Sequence, residues 1–452
     1  MSNRSFSVAV LKKIKSYKKS IEVDSDKSIS IRSFLFSSIS HNVSELRNVL
    51  ESEDVFSTIS CLKKLGVKIK KIKSKHYLVF GKGLGSLYAK KDITLDFGNS
   101  GTLARLLIGI LSTSPNIQLK LKGDKSLNKR NMYKLINLMS EFGAQFYPKN
   151  KYNFPLRIIS SEMPVAINYK AGISAQLKSA VILSALNSYG ITNILEEKES
   201  RDHTENILKK NPDVLKIEKN KKKQKIIKVF GKKYLNPIHL TVPSDPSSAA
   251  FMTALTLLNN NSYLSIKNVC LNPRRIGFYK LLKKHGAKIY FKKIRKINNE
   301  LIGNIEVYSS KIKNINAPSS YYTSLTDEYP IVFVIAALIP GVSVFKGIGD
   351  LANKESNRIE EMKKILKQVG VKCTSTKEEM KIYGSNKISY INKKIFVPNL
   401  GDHRICMSAL ILSLITGAKA NINNFETVET SSPSFLKIIK SLGGKFEIKK
   451  TS

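Results

Sequence analysis

The chain has no tryptophan, and its four cysteines, Cys61, Cys270, Cys373 and Cys406, lie far apart with no Cys-x-x-Cys pair. That spacing excludes a disulfide ladder and the usual thiolate cages for zinc or iron–sulfur clusters, and it predicts a reducing compartment. No apolar run reaches the roughly 20 residues of a membrane span. Residues 6–11 are too short for the apolar stretch of a secretory signal. The expectation is a soluble, cytoplasmic protein with no metal and no membrane partner. Acid is also scarce: 34 Asp and Glu face 76 Lys and Arg, a net charge of +42 over 452 residues. Such a charge points first to nucleic acid, but specific single-strand recognition interleaves cations with stacking aromatics, and no such array is present. The 64 lysines run through the whole chain and read as a drift of composition towards Lys and Asn.

Against that background arginine is the scarce cation, with 12 copies from Arg4 to Arg404. Lysine cannot replace its planar, bidentate fork. Arg32, Arg130, Arg201, Arg358 and Arg404 each sit among small polar residues, in DKSISIR (26–32), NKR (128–130), SRDH (200–203), KESNR (354–358) and GDHR (401–404). Any one of them alone reads as a surface or structural ion pair. Together they suit a pocket for phosphates and carboxylates. Residues 95–105, LDFGNSGTLAR, add a strand, a Gly-Asn-Ser-Gly turn and a helix start. Free backbone N–H groups and the positive dipole end at such a start favour an anion, Gly101 permits close approach, and Arg105 can add a guanidinium. Plain helix capping is the alternative reading of that turn. Ser28 and Arg32, four apart, share one helix face, and so do Lys354 and Arg358, for which Asp327, Glu328 and Glu355 are available acids. His203 and His403 read as structural.

Amphipathic helix, glycine and strand recur around Gly66, Gly143, Gly286, Gly370 and Gly443, with Asn211 standing in for a sixth glycine, at intervals of about 75 residues. Units of that size are too large for a solenoid. Two α/β domains of three units each are more economical, with chain crossings at 24–26 and 242–248. The N-terminal residues 14–23 are then expected to pair with the second domain.

At this point the chain resembles the EPSP synthase (3-phosphoshikimate 1-carboxyvinyltransferase) family, in its second bacterial group. The carrying motifs are DKSISIR, LDFGNSGTLAR, GDKSLNKR (123–130), SAQLKSA (174–180), SRDHTE (200–205), VPSDPSSAAF (242–251), DEYP (327–330), KESNR and DHRICMS (402–408), in family order. The resemblance implies an α/β fold of two domains, each of three βαβαββ units in an inside-out barrel, joined by a two-strand hinge. Residues 1–25 and 244–452 would form one domain and 26–243 the inserted other. The implied reaction moves the enolpyruvyl group of phosphoenolpyruvate to the 5-hydroxyl of 3-phosphoshikimate. The two substrates together carry about five negative charges.

By resemblance, Lys27, Ser28, Arg32, Ser174, Gln176, Arg201, Asp327 and Lys354 bind 3-phosphoshikimate. Lys27, Gly101, Arg130, Gln176, Arg358 and Arg404 bind phosphoenolpyruvate. Asp327 is the implied general base, Glu355 the proton donor to the methylene carbon, and Lys27 the group that stabilises the leaving phosphate. No cofactor, metal or specific nucleic-acid partner is implied, and a monomer is expected. The chain departs from the family pattern at Asp24-Ser25 (usually Pro-Gly), Ile31, Asn131, Ser244 and Asn357. Some relatives of this group carry alanine where Gly101 stands, which narrows the phosphoenolpyruvate site against glyphosate; the glycine here predicts glyphosate binding. The sister enzyme acting on a UDP-amino sugar fits less well, because Ser28 follows Lys27 where it has Asn, and its cysteine loop has no counterpart.

Overall fold

The computed structural model describes residues 5–90, 92–386, 390 and 392–450; Arg4 lies outside them. The chain packs as two compact units. One holds residues 1–24, 243–296 and 301–452, and the other residues 25–242 and 297–300.

Six four-stranded sheets form, three per unit among the described residues. One order recurs. In the sheet of Thr94–Asp96, Gln118–Lys122, Leu156–Ile159 and Gln145–Tyr147, the first pair is parallel, with Leu95 opposite Leu121, and the other pairs are antiparallel. The parallel pair needs a crossover, which the Gly101–Thr113 helix supplies. Three sheets are completed by distant strands. Phe6–Val10 lies between Lys419–Ile422 and Phe446–Lys450, while His239–Thr241 closes in parallel on Val43–Arg47. Lys18–Ile21 runs parallel to Tyr263–Cys270, so the N-terminal segment pairs within the larger-numbered unit.

Each unit is built on three helices buried almost all round: Lys27–Ile39, Gly101–Thr113 and Ala175–Leu186 in one, Pro246–Leu258, Tyr329–Leu338 and His403–Thr416 in the other. All-round burial needs small residues where backbones meet. A Cβ on Gly109 would lie 2.7 Å from the Ala180 carbonyl. The outer helices are amphipathic, and Gly66, Gly143, Gly286, Gly370 and Gly443 after them all have positive φ. Asn211 departs from this expectation. Its φ is not positive; the helix His203–Leu208 ends earlier, and the Asn211 amide oxygen instead accepts from the Asn236 N–H at 3.0 Å.

Lysine concentrates on edge strands, at Lys68, Lys70, Lys71 and Lys73 of one sheet and Lys288, Lys292, Lys293 and Lys296 of another. Charge there blocks pairing with further strands, which gives part of the basic excess a structural use.

Candidate active site

In the Ser25–Val242 unit the motif residues stand at the starts of the three central helices. Asp26 caps the first, accepting from Ile29 N–H at 2.8 Å; Ser100 and Ser174 cap the others through Leu103 and Leu177. The capping reading of the Gly-Asn-Ser-Gly turn is therefore correct as far as it goes, and it leaves the backbone of the turn facing two guanidinium groups. A Cβ on Gly101 would meet Arg105 Nη1 at 2.7 Å and Arg130 Nη1 at 2.8 Å. Arg105 donates to the Gly101 carbonyl at 3.0 Å and to Gln176 Oε1 at 2.9 Å, and Gln176 in turn donates to Thr102 Oγ1 at 2.9 Å. Arg105 thus aims the Gln176 amide. Arg130 donates to Asn99 Oδ1 at 3.0 Å, and Asn99 donates to Asp124 Oδ2 at 2.7 Å.

Arg32, only 4% exposed, donates to Thr204 Oγ1, Ser179 Oγ and the Ser28 carbonyl at 3.0, 3.2 and 3.1 Å. Lys27 Nζ lies 2.9 Å from Asp54 Oδ2. Ser174 and Arg201 are half-buried. His203 is buried and paired at 2.7 Å with Glu300 of the same unit, in line with a structural role.

The other unit gathers three acids around Arg358, whose side chain is 2% exposed. Its Nε lies 3.0 Å from Asp402 Oδ2 and its Nη2 lies 2.6 Å from Glu355 Oε2, while Nη1 faces Asp327 Oδ1 at 3.8 Å. Burial works against the charged guanidinium, but Asp402, Glu355 and Asp327 outweigh it and hold the proton more firmly than usual. Asp402 also caps the His403–Thr416 helix through Arg404 N–H and accepts from Ser356 Oγ. Lys354 does not share the acids expected for it. Its Nζ lies 2.6 Å from Asp350 Oδ2, which also accepts from Tyr322 Oη, and Glu328 is instead bonded by the Ser247 hydroxyl.

Arg404 is different in kind. It is 5% exposed, its guanidinium lies 5.8 Å from the Phe251 ring, and among the described residues no carboxylate pairs with it and nothing hydrogen-bonds Nε or Nη1. A buried guanidinium without an acid is costly unless an anionic ligand compensates it.

Three departures from the family pattern have local explanations. Asn357 caps the Arg358–Gln368 helix through Glu360 N–H, Asn131 accepts from Tyr133 N–H at 2.7 Å, and Ile31 lies wholly in the core. At the crossing, the Asp24 carboxylate accepts from Ser432 Oγ and Ser434 N–H. Sequence reasoning missed Asp54, Asn99, Asp124 and Asp350. Asp54 pairs with Lys27 and Asp350 with Lys354, while Asp124 accepts from Asn99, which in turn accepts from Arg130. Asn99 and Asp124 lie inside LDFGNSGTLAR and GDKSLNKR, and Asp54 and Asp350 lie outside every motif.

The chain matches known proteins over almost its full length. The sequence model of EPSP synthase (3-phosphoshikimate 1-carboxyvinyltransferase) matches residues 11–439. The 3-phosphoshikimate 1-carboxyvinyltransferase of Zymomonas mobilis is 36% identical over 431 residues, 95% of this chain and 94% of that protein. That of a Sulfurihydrogenibium species is 34% identical, covering 96% and 99%. The solved EPSP synthase of Acinetobacter baumannii superposes with a TM-score of 0.84 at 32% identity, covering 98% of this chain and all of that one. The enolpyruvyl transferase NikO from Streptomyces tendae, 10% identical with a TM-score of 0.75, shares the fold. The chain belongs to the EPSP synthase family.

Proposed function

We propose that this protein transfers the 1-carboxyvinyl group of phosphoenolpyruvate to the 5-hydroxyl of 3-phosphoshikimate, releasing phosphate, as a step towards aromatic amino acids. The observation that carries this reading is Arg404, a buried guanidinium with no acidic partner among the described residues, at a helix start that suits an anion. Lys27, Gly101, Arg130, Gln176, Arg358 and Arg404 hold phosphoenolpyruvate. Lys27, Ser28, Arg32, Ser174, Gln176, Arg201, Asp327 and Lys354 hold 3-phosphoshikimate. Both sets act on one pair of substrates, the segments 1–25 with 244–452 and 26–243 serving as two domains joined by two strands.

Asp327 takes the proton from the attacking hydroxyl, whose oxygen bonds to the central carbon of phosphoenolpyruvate. Glu355 delivers a proton to the methylene carbon, giving a tetrahedral adduct. Phosphate then leaves, assisted by Lys27, and the new methyl group loses a proton to restore the double bond. Glu355 lies 2.6 Å from Arg358 Nη2. A substrate carboxylate that takes this guanidinium frees Glu355 to hold the proton it must deliver. The chemistry needs neither cofactor nor metal, and its partners are two small anions, with no membrane and no specific nucleic acid. The four free cysteines fit a reducing compartment such as the cytoplasm, where the protein acts as a monomer.

The test is a low-salt titration of 3-phosphoshikimate with and without phosphoenolpyruvate, on the natural chain and on Arg130→Lys, with phosphate release as the activity readout. Mutual tightening that the substitution weakens is expected. Indifference to both compounds overturns the assignment.

A further inference from the structure

Four ionisable side chains in the Ser25–Val242 unit take no part in that reaction yet are buried together. Lys178 Nζ lies 2.6 Å from Glu196 Oε1 and 2.8 Å from Glu205 Oε1; Lys225 Nζ lies 3.0 Å from Glu196 Oε2 and 3.1 Å from Glu205 Oε1. Three of the four have no exposed side-chain surface, and Lys225 has 9%. Desolvating such ions costs several kcal/mol each, and apolar residues of equal volume often give more stability. What an ion quartet adds is orientation. Within it Glu196 stays charged: burial pushes its carboxyl up, but Lys178, Lys225 and the Ser200 N–H reverse this and hold it at about 2.

The chain neighbours of the four show what is oriented. Ser200 gives both its N–H and its hydroxyl to Glu196 Oε1, at 2.9 and 2.8 Å, and the next residue is Arg201. In Lys178-Ser179 the lysine joins the quartet while Ser179 Oγ accepts from Arg32 Nη2 at 3.2 Å. In Thr204-Glu205 the glutamate joins it while Thr204 Oγ1 accepts from Arg32 Nε at 3.0 Å and bonds Ser179 Oγ at 2.8 Å. The geometry points to Lys178, Glu196, Glu205 and Lys225 as positioning residues that fix Arg32 and Arg201, and through them the 3-phosphoshikimate end of the site. The ligand's identity rests on the function proposed above; the positioning itself does not.

Two variants test it. Glu196→Gln removes one charge of the quartet, and Ser200→Ala, which leaves all four charges in place, decides the matter if the first fails to fold. Hydrogen exchange of residues 199–205 is read without substrate, and KM is measured for each substrate. Exchange is expected to quicken in both variants, and KM for 3-phosphoshikimate to rise about tenfold in Glu196→Gln and less in Ser200→Ala, with KM for phosphoenolpyruvate nearly unchanged. An unaltered KM for 3-phosphoshikimate, or an equal loss for both substrates, overturns the inference. If the natural chain does not bind 3-phosphoshikimate, the functional reading fails, and the exchange data alone decide whether the quartet holds this loop.

Discussion

Arg404 lacks an acid among the described residues, and Gly101 stands against two guanidinium groups. A buried guanidinium with no acidic partner among the described residues destabilises the free protein. Arg404→Met is therefore expected to raise the thermal midpoint by a few degrees while lowering kcat/KM for phosphoenolpyruvate at least about 100-fold, a trade seen when function retains a strained group. A calorimetric scan beside steady-state kinetics checks both halves; a lower midpoint would mean that Arg404 has a structural partner. Gly101 is constrained by its neighbours' side chains, not by its backbone. The Cβ of Gly101→Ala would sit 2.7 and 2.8 Å from two guanidinium nitrogens, so both must shift. KM for phosphoenolpyruvate should rise severalfold with folding intact. Glyphosate, predicted to inhibit the natural chain, should lose inhibition by a larger factor. No competition with phosphoenolpyruvate at millimolar glyphosate in the natural chain would refute the second part.

At the level of the element, the starts of the central helices do two jobs with the same side chains. Asp402 caps one helix and anchors Arg358, so Asp402→Ala removes a cap and one of the three acids around a fully buried cation, leaving it Glu355 and Asp327. The expected loss, read by denaturant titration, exceeds the ~1 kcal/mol of a cap alone. In the other unit, Glu196 ties a strand to the loop before Arg201. Its carboxyl is held at about 2 against an ordinary 4.5, so it stabilises the fold above the ordinary value, and that stability is lost as pH falls from about 4.5 through 2. Glu196→Gln should flatten the acid limb of stability against pH in that window. The helix starts were legible in the sequence because capping residues and motif cations lie within a few positions of one another. The partners Asp54 and Thr204 were not, because an acid or hydroxyl far along the chain carries no sign of which cation it will meet.

Over the whole molecule, a charge of +42 acts as a field that attracts acidic substrates and also repels itself. Adding salt from about 0.02 to 0.3 M shrinks the screening length several-fold. Thermal stability should rise over that range while kcat/KM for both anions falls, measured on one preparation. Opposite movements mark a global field; a fall in both would place the dominant charges in paired networks. The edge-strand lysines show why net charge alone misleads, since the lysine-rich segment Lys68–Lys73 forms the outer strand of a sheet.

The chain by itself determined the sixfold unit, because glycine after an amphipathic helix and alternation in the following strand are local signals with fixed periods. It also determined the family and most cations at the helix starts, because scarce arginines in short polar frames stand out against a lysine background. Only the tertiary structure decided which acids neutralise which cations. It left Arg404 without an acid among the described residues, gave Arg358 three, and buried Lys178 and Lys225 between two glutamates. Pairing energies depend on distance and burial, which are set by how helices far apart in the chain pack together.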